Sequence, residues 1–200
     1  MKMKWDERYS EDEYLFGTIP NSFLAENFKS IPKGDVLCLA DGEGRNSVFL
    51  AKQGYNVTAV DMSIIGINKA KKLAEENEVS INFIHSNIKD YPIAENRWHG
   101  IVSIFFHIPV ELREYLHKCA VNGLKNNGVF LLEAYTPNQL KHGTGGPSVV
   151  EILMTKEPLK QELKGLTFSH LAEIEREVQE GSAHAGWSSV VQVVANKEDE

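Results

Sequence analysis

The chain has 200 residues, 42% hydrophobic and 24% charged, with a formal net charge of −7 at neutral pH. That balance describes a globular chain rather than a disordered one, and the acidic surplus without any run of five Lys or Arg argues against a nucleic-acid or anionic-membrane surface. No apolar stretch reaches the roughly 18 residues of a membrane-spanning helix, and Met1 to Arg8 holds no apolar leader segment, so the expectation is a single cytoplasmic domain.

In chain order, residues 5–18 mix Trp5, Tyr9, Tyr14 and Phe16 with six acids and bases. The segment is too polar for a core helix and too aromatic for a plain tail. It reads either as an arm folded over a ligand or as aromatics that dock the N-terminus. Pro20-Asn21-Ser22 starts a helix with Phe23, Leu24 and Phe28 on one face, which Pro32-Lys33-Gly34 ends. Val36 to Ala40 is a buried strand. Asp41-Gly42-Glu43-Gly44 breaks it with a turn whose glycines accept backbone angles other residues avoid, and a helix follows at once. Tyr55 to Val60 is the second strand, ending at Asp61, seventeen residues after Gly44.

Ser63 is placed to cap a helix from about 64 to 77. Residues 81–84 make strand three, followed by Ser86-Asn87-Ile88. Gly100 to Phe106 is continuous and apolar, as in a strand covered on both faces. Pro109 opens a helix over 110–124, and Val129 to Tyr135 is strand five. Residues 136–147 hold Pro137, His142, Gly143, Gly145, Gly146 and Pro147, either a plain loop or a lid. A short helix covers 159–164. Strands over 166–178 and 189–196 are close enough to pair as an antiparallel hairpin, with His184 in a solvated connection. Cys38 lies in the first strand and Cys119 in a helix, so both read as buried reduced thiols.

Strand, glycine turn and helix bring backbone N–H groups and a helix N-terminus to a nucleotide-like ligand, and an acid at the tip of strand two can accept both ribose hydroxyls. Gly42-x-Gly44-x-x-Ser47 is one glycine short of a dinucleotide fingerprint, which keeps a nicotinamide-dependent oxidoreductase open as an alternative. The histidines and cysteines have no metal-ligand spacing, and no metal is expected.

Taken together, the five βα units and closing hairpin resemble the class I S-adenosylmethionine-dependent methyltransferases. Residues 36–46 look like their first motif, Asp61 like their ribose-binding acid, and Ser86-Asn87-Ile88 like the segment that lines adenine. Gly17-Thr18-Ile19-Pro20-Asn21, Gly42-Glu43-Gly44-Arg45-Asn46, Ile104 to Pro109, Gly143 to Pro147 and Val190 to Val194 are similar to the tellurite-resistance, thiopurine-methyltransferase-like branch. The resemblance implies a three-layer α/β/α Rossmann-like sandwich. Its seven-stranded, mostly parallel sheet has the order 3-2-1-4-5-7-6 and an antiparallel C-terminal hairpin. Residues 1–32 would cover the site and 33–200 form the core. The cofactor would be S-adenosylmethionine and the acceptor a small molecule, such as a thiol, chalcogen or oxyanion. A non-catalytic S-adenosylmethionine-binding protein is the further alternative, and the sequence leaves monomer and homodimer open.

The resemblance also assigns residues. Ala40, Asp41, Gly42, Gly44 and Asn46 would line the cofactor's amino-acid end, Asp61 its ribose, and Met62, Asn87 and Ile88 its adenine, with Phe105 at the tip of strand four. The usual first-motif acid is replaced by Cys38 and the first glycine by Ala40, so Asp41 is the candidate partner for the cofactor's ammonium. On the acceptor side stand His107, Arg45 and Tyr135. His107 either positions or deprotonates substrate, or simply bonds backbone at a helix start. Arg45 either meets an anionic substrate or pairs with a nearby acid. Tyr135 either faces the rim or packs.

Overall fold

A computed structural model describes residues 5–198. Seven strands form one sheet in the order β3-β2-β1-β4-β5-β7-β6. They are β1 (Asp35–Leu39), β2 (Asn56–Asp61), β3 (Asn82–His85), β4 (Trp98–Ile104), β5 (Leu124–Tyr135), β6 (Thr167–Glu180) and β7 (His184–Asn196). The first five are mutually parallel, and β7 runs antiparallel to both β5 and β6. The expected fold and strand order are therefore those observed.

The helices are α1 (Trp5–Arg8), α2 (Ser22–Asn27), α3 (Arg45–Lys52), α4 (Ile64–Glu76), α5 (Val110–Gly123) and α6 (Lys156–Glu162). Their starts are legible in side-chain chemistry. Asn21 Oδ1 accepts the Leu24 N–H and Ser63 Oγ accepts the Gly66 N–H, each satisfying a donor that the first helical turn leaves free. The central strands are apolar along both faces because helices cover both. One core layer gathers Leu37, Ile101, Phe130, Leu132 and Leu159, the opposite one Leu24, Val36, Leu50, Val102 and Leu131.

Several boundaries differ from the sequence reading: β5 starts at Leu124 rather than Val129, and α6 covers Lys156–Glu162 rather than 159–164. The strands β6 and β7 run on to a tight turn at residues 181–183, so the hairpin is longer than its apolar pattern and reaches past the sheet's end. Pairing with β5 and with each other supplies backbone partners that the sequence pattern does not advertise. The segment 5–18 contains only the single turn α1 and is otherwise irregular.

Candidate cofactor and acceptor site

The C-terminal ends of β1, β2, β3 and β4 open on a cavity of about 540 Å³. The loop after β5, the β6–β7 turn and the N-terminal segment close its other sides. This is where an open α/β sheet binds its ligand. Ala40, Asp41, Gly42, Asn46, Asp61, Met62, Asn87, Ile88 and Phe105 all line it, together with Arg45 and His107. Among the sequence candidates, Gly44 and Tyr135 do not.

Asp61 organises the first half. Its Oδ2 accepts the Gly42 N–H at 2.8 Å and its Oδ1 the Ser63 N–H at 2.8 Å. A carboxylate has about four acceptor directions, so two remain for a ligand. Burial pushes the Asp61 pKa up against the pull of these backbone bonds. Gly42 has φ +61°, and a Cβ there would lie 2.6 Å from the Tyr9 hydroxyl. Gly44 has φ +90°, and its Cβ would meet Ala70 of α4 at 2.6 Å. One glycine thus admits the N-terminal segment and the other lets α3 and α4 touch. Gly44 supports the site from behind rather than lining it.

Asp41 is half-buried and accepts a hydrogen bond from Ser47 Oγ. Burial, opposed in part by that bond, raises its pKa to about 6. Cys38 beside it is buried, and burial pushes its thiol well above the usual range, so it offers no anion. Asp41 is accordingly the acid available to a cationic group at this turn. Asn46 Oδ1 is taken by the Asn21 N–H at 2.9 Å, and Asn87 Oδ1 by the Lys89 N–H at 3.2 Å. Each side chain keeps its amide nitrogen for other partners. Ala40 (φ 51°) and Phe105 (φ 50°) end two adjacent strands in the left-handed region, a strained conformation for such residues that recurs at binding sites.

In the second half, His107, Arg45 and Tyr135 each take the supporting alternative rather than the substrate-facing one. His107 Nδ1 donates to the Phe105 carbonyl at 3.1 Å, and its Nε2 accepts the Tyr135 N–H at 2.9 Å. Burial lowers its pKa to about 4. Both ring nitrogens being used by backbone, His107 fastens β4 to β5 and has no lone pair for a substrate proton. Tyr135 is fully buried behind Phe105, ring centroids 4.5 Å apart, so it supports the cavity wall and does not face the rim. Arg45 pairs with Glu180 at 2.5 Å, not with Glu43 or the acids of the N-terminal segment. Its Nη1 is buried without a partner.

His184 is the residue the sequence reading misplaced. It is the first residue of β7, 8% exposed, and part of the cavity wall. Phe16, Phe105 and Tyr135 surround its ring at centroid distances of 4.6, 4.8 and 5.3 Å. Burial first, and then the Arg45 charge, lower its pKa to about 3, and its Nδ1 has no partner. The extended hairpin, not visible as an apolar pattern, carries it there.

Beneath this wall lies a charged network that sequence reasoning missed. Glu133, fully buried, accepts from Asn21 Nδ2 at 2.6 Å, Gln192 Nε2 at 2.6 Å and Arg176 Nη2 at 2.6 Å. Asn21 Nδ2 also reaches Glu180 at 2.8 Å. The signal in the sequence is a lone acid inside the apolar run Val129 to Tyr135, which folding tolerates only when the charge is paired.

The N-terminal segment covers the cavity. Trp5, Arg8, Tyr9 and Phe16 line it. Ser63 Oγ donates to Asp6 at 2.5 Å, Lys69 Nζ to the Glu11 and Glu13 carbonyls at 2.8 and 2.6 Å, and Ser182 N–H to the Leu15 carbonyl at 3.1 Å. The glycine loop after β5 is also tied in. Gln139 Nε2 bonds the Gly145 carbonyl at 3.1 Å, and a Cβ on Gly146 would strike the Tyr135 ring at 2.6 Å.

Residues 36–128 match the family described as methyltransferase domain. That match spans just under half of the chain and is what the stretch is similar to. Its fold is that of the class I S-adenosylmethionine-dependent enzymes, and S-adenosylmethionine is the cofactor that the domain implies. The chain is 29% identical over 124 residues to ubiquinone biosynthesis O-methyltransferase of Rickettsia canadensis, an alignment covering 59% of this chain and 49% of that protein. The chain spans about half or less of the length of the curated relatives it matches. Among solved structures, TehB from Haemophilus influenzae superposes with a TM-score of 0.73 at 19% identity, covering 97% of this chain and 66% of TehB. A protein of echinomycin biosynthesis, from work on conversion of a disulfide bond into a thioacetal group, superposes with a TM-score of 0.76 at 14% identity, covering 96% and 88%. The matched stretch ends near the start of β5, so the hairpin that brings His184 and Glu180 to the cavity lies outside the matched residues. Among the described residues, no cluster of His, Cys, Asp and Glu is able to hold a metal ion, and no helix is long and apolar enough to cross a membrane.

Proposed function

We propose that the chain transfers a methyl group from S-adenosylmethionine to a small molecule. The observation that carries this reading is the Asp61–Gly42 bond at the mouth of the cavity, which sets a ribose-binding acid and a glycine turn side by side. S-adenosylmethionine supplies an electrophilic methyl group on a sulfonium. The protein's task is to hold it dry and in line with a nucleophile, within contact distance. Asp41 is the residue for the ammonium. Asp61 takes the ribose hydroxyls, and Met62, Asn87 and Ile88 the adenine. Ala40, Gly42 and Asn46 form the turn beneath the amino-acid end, backed by Gly44. Phe105 divides cofactor from acceptor, and Arg45 and His184 meet the acceptor. His107 and Tyr135 act as supports.

The resemblance of the motifs to the tellurite-resistance, thiopurine-methyltransferase-like branch favours a thiol, chalcogen or oxyanion acceptor. The Rickettsia relatives, named for O-methylation, favour oxygen over carbon as the nucleophile. Residues 5–32 serve as cover for a core beginning at 33, and the protein is cytoplasmic, as a monomer or homodimer. Thermal unfolding with S-adenosylmethionine, S-adenosylhomocysteine and NADH tests the reading. A ligand at about 100 times its dissociation constant adds about 2.7 kcal/mol. Stabilisation by the two sulfur cofactors is expected, and stabilisation by NADH alone would return the assignment to a nicotinamide enzyme.

A further inference from the structure

Resting on that reading, we infer that the acceptor is an apolar molecule carrying a carboxylate, and that Arg8 selects it. Arg8 lines the cavity from the N-terminal segment, its guanidinium 4.5 Å above the Trp5 ring and 5.9 Å from Phe16. Among the described residues no carboxylate lies within ion-pair distance of it, although five acids crowd the same segment between Asp6 and Glu13. Stacking on an aromatic face fixes the position of the planar guanidinium without using its donors. The fork therefore faces the cavity with its hydrogen-bonding capacity free.

Two more donors or acceptors stand unused in the same wall. Arg45 is only 7% exposed and its Nη1 has no partner, while His184 is 8% exposed and its Nδ1 has none. Both atoms lie behind the surface of the wall, so the cation that can meet a ligand directly from the open space is Arg8. The charge of Arg45 is neutralised by Glu180, so the net positive charge at this end is that of Arg8. A planar monoanion matches a guanidinium fork better than a point charge does. The remaining walls here are Phe105, Phe106, Ile108, Leu112 and Ile152, which suit an apolar body.

The experiment titrates benzoate, phenylacetate and their uncharged amides into the full chain loaded with S-adenosylhomocysteine, by calorimetry. Amides have nearly the acids' shape without the charge. The acids should bind at least about fivefold tighter than the amides, the scale of one partly exposed ion pair. Arg8→Gln should abolish that preference, and Arg8→Lys should restore only part of it, because lysine lacks the planar fork. Arg8 is exposed, so both variants are expected to fold, with unchanged affinity for S-adenosylhomocysteine as the check. Equal binding of acid and amide, no binding of either acid at millimolar concentration, or a preference that survives Arg8→Gln would each overturn the inference. Failure of the unmodified chain to bind S-adenosylhomocysteine at all would instead overturn the cofactor reading beneath it.

Discussion

The Asp61 carboxylate and the Gly42 amide are joined by a 2.8 Å hydrogen bond, so the acid of β2 and the turn after β1 form one unit. Its other oxygen holds the start of α4 through Ser63. Removing the carboxylate therefore reaches beyond the ligand. Asp61→Ala leaves two backbone donors without their acceptor, at about 1–2 kcal/mol of stability in total once the relief of a buried charge is counted. It should also weaken S-adenosylhomocysteine binding by at least about tenfold, the worth of one hydrogen bond to a charged group. Asp61→Asn should keep most of the stability and still lose affinity. Denaturant titration and calorimetry on both variants measure the two effects separately. A variant that binds normally would remove Asp61 from the ribose.

Asp41 makes stability and cofactor binding respond to pH in opposite senses. Its folded-state pKa is raised to about 6, above the ordinary carboxylate value near 4. Between those values the folded state holds the proton more tightly than the unfolded state, so stability falls as pH rises through the window and the loss is complete above about 6. Asp41→Asn should stabilise the apo protein at pH 7 by about 1–2 kcal/mol, discounting the full shift for partial solvent access. The same variant should bind S-adenosylmethionine more weakly. Wild-type affinity should drop as pH is lowered through about 6. An apo protein that Asp41→Asn destabilises would mean the carboxylate is not held against its burial.

His107 and His184 act in the opposite direction. With folded pKa values lowered to about 4 and about 3, both take up a proton on unfolding between those values and the ordinary imidazole value of about 6.5. Stability contributed by keeping them neutral is present above about 6.5 and is lost as pH falls from there toward about 4. At pH 5, NMR should find both rings neutral, His107 as the Nδ1–H tautomer. His184→Gln should shallow the acid slope of stability. An imidazole of His184 titrating near 6.5 would place it in water, outside the cavity wall.

Behind the cavity wall that Leu112 helps to form, Arg113, His117 and Glu162 tie α5 to α6, their side chains about 4–5% exposed. Burial alone would raise the Glu162 pKa. Hydrogen bonds from His117 at 2.7 Å and Arg113 at 2.7 Å overcome it and leave about 2. That contribution is present above about 4.3 and is lost as pH falls toward 2. Glu162→Gln should cost about 3 kcal/mol at pH 7 by stranding the Arg113 charge. Equal stability of the variant in urea would show the pair to be replaceable.

What the residues alone determined is everything that depends on local pattern. Continuous apolar runs set β1, β2 and β4 as strands covered on both faces, and Asn21 and Ser63 marked two helix starts. The family resemblance that rests on Gly42, Gly44, Asp61 and the closing hairpin implied the strand order, and of the residues it assigned to the cofactor all but Gly44 line the cavity. The acceptor half depended on partners far apart in the chain. His107 reads equally as a substrate-positioning or a backbone-bonding histidine until the Phe105 carbonyl and the Tyr135 amide, the latter 28 positions away, occupy its nitrogens. Arg45 finds Glu180 across 135 positions, and Asn21 joins Glu133 to Glu180. A side chain's protonation and its free donors are properties of what surrounds it. Only the packing of β7 between β5 and β6, and the N-terminal segment folded across the cavity, decided which polar groups were left for a ligand.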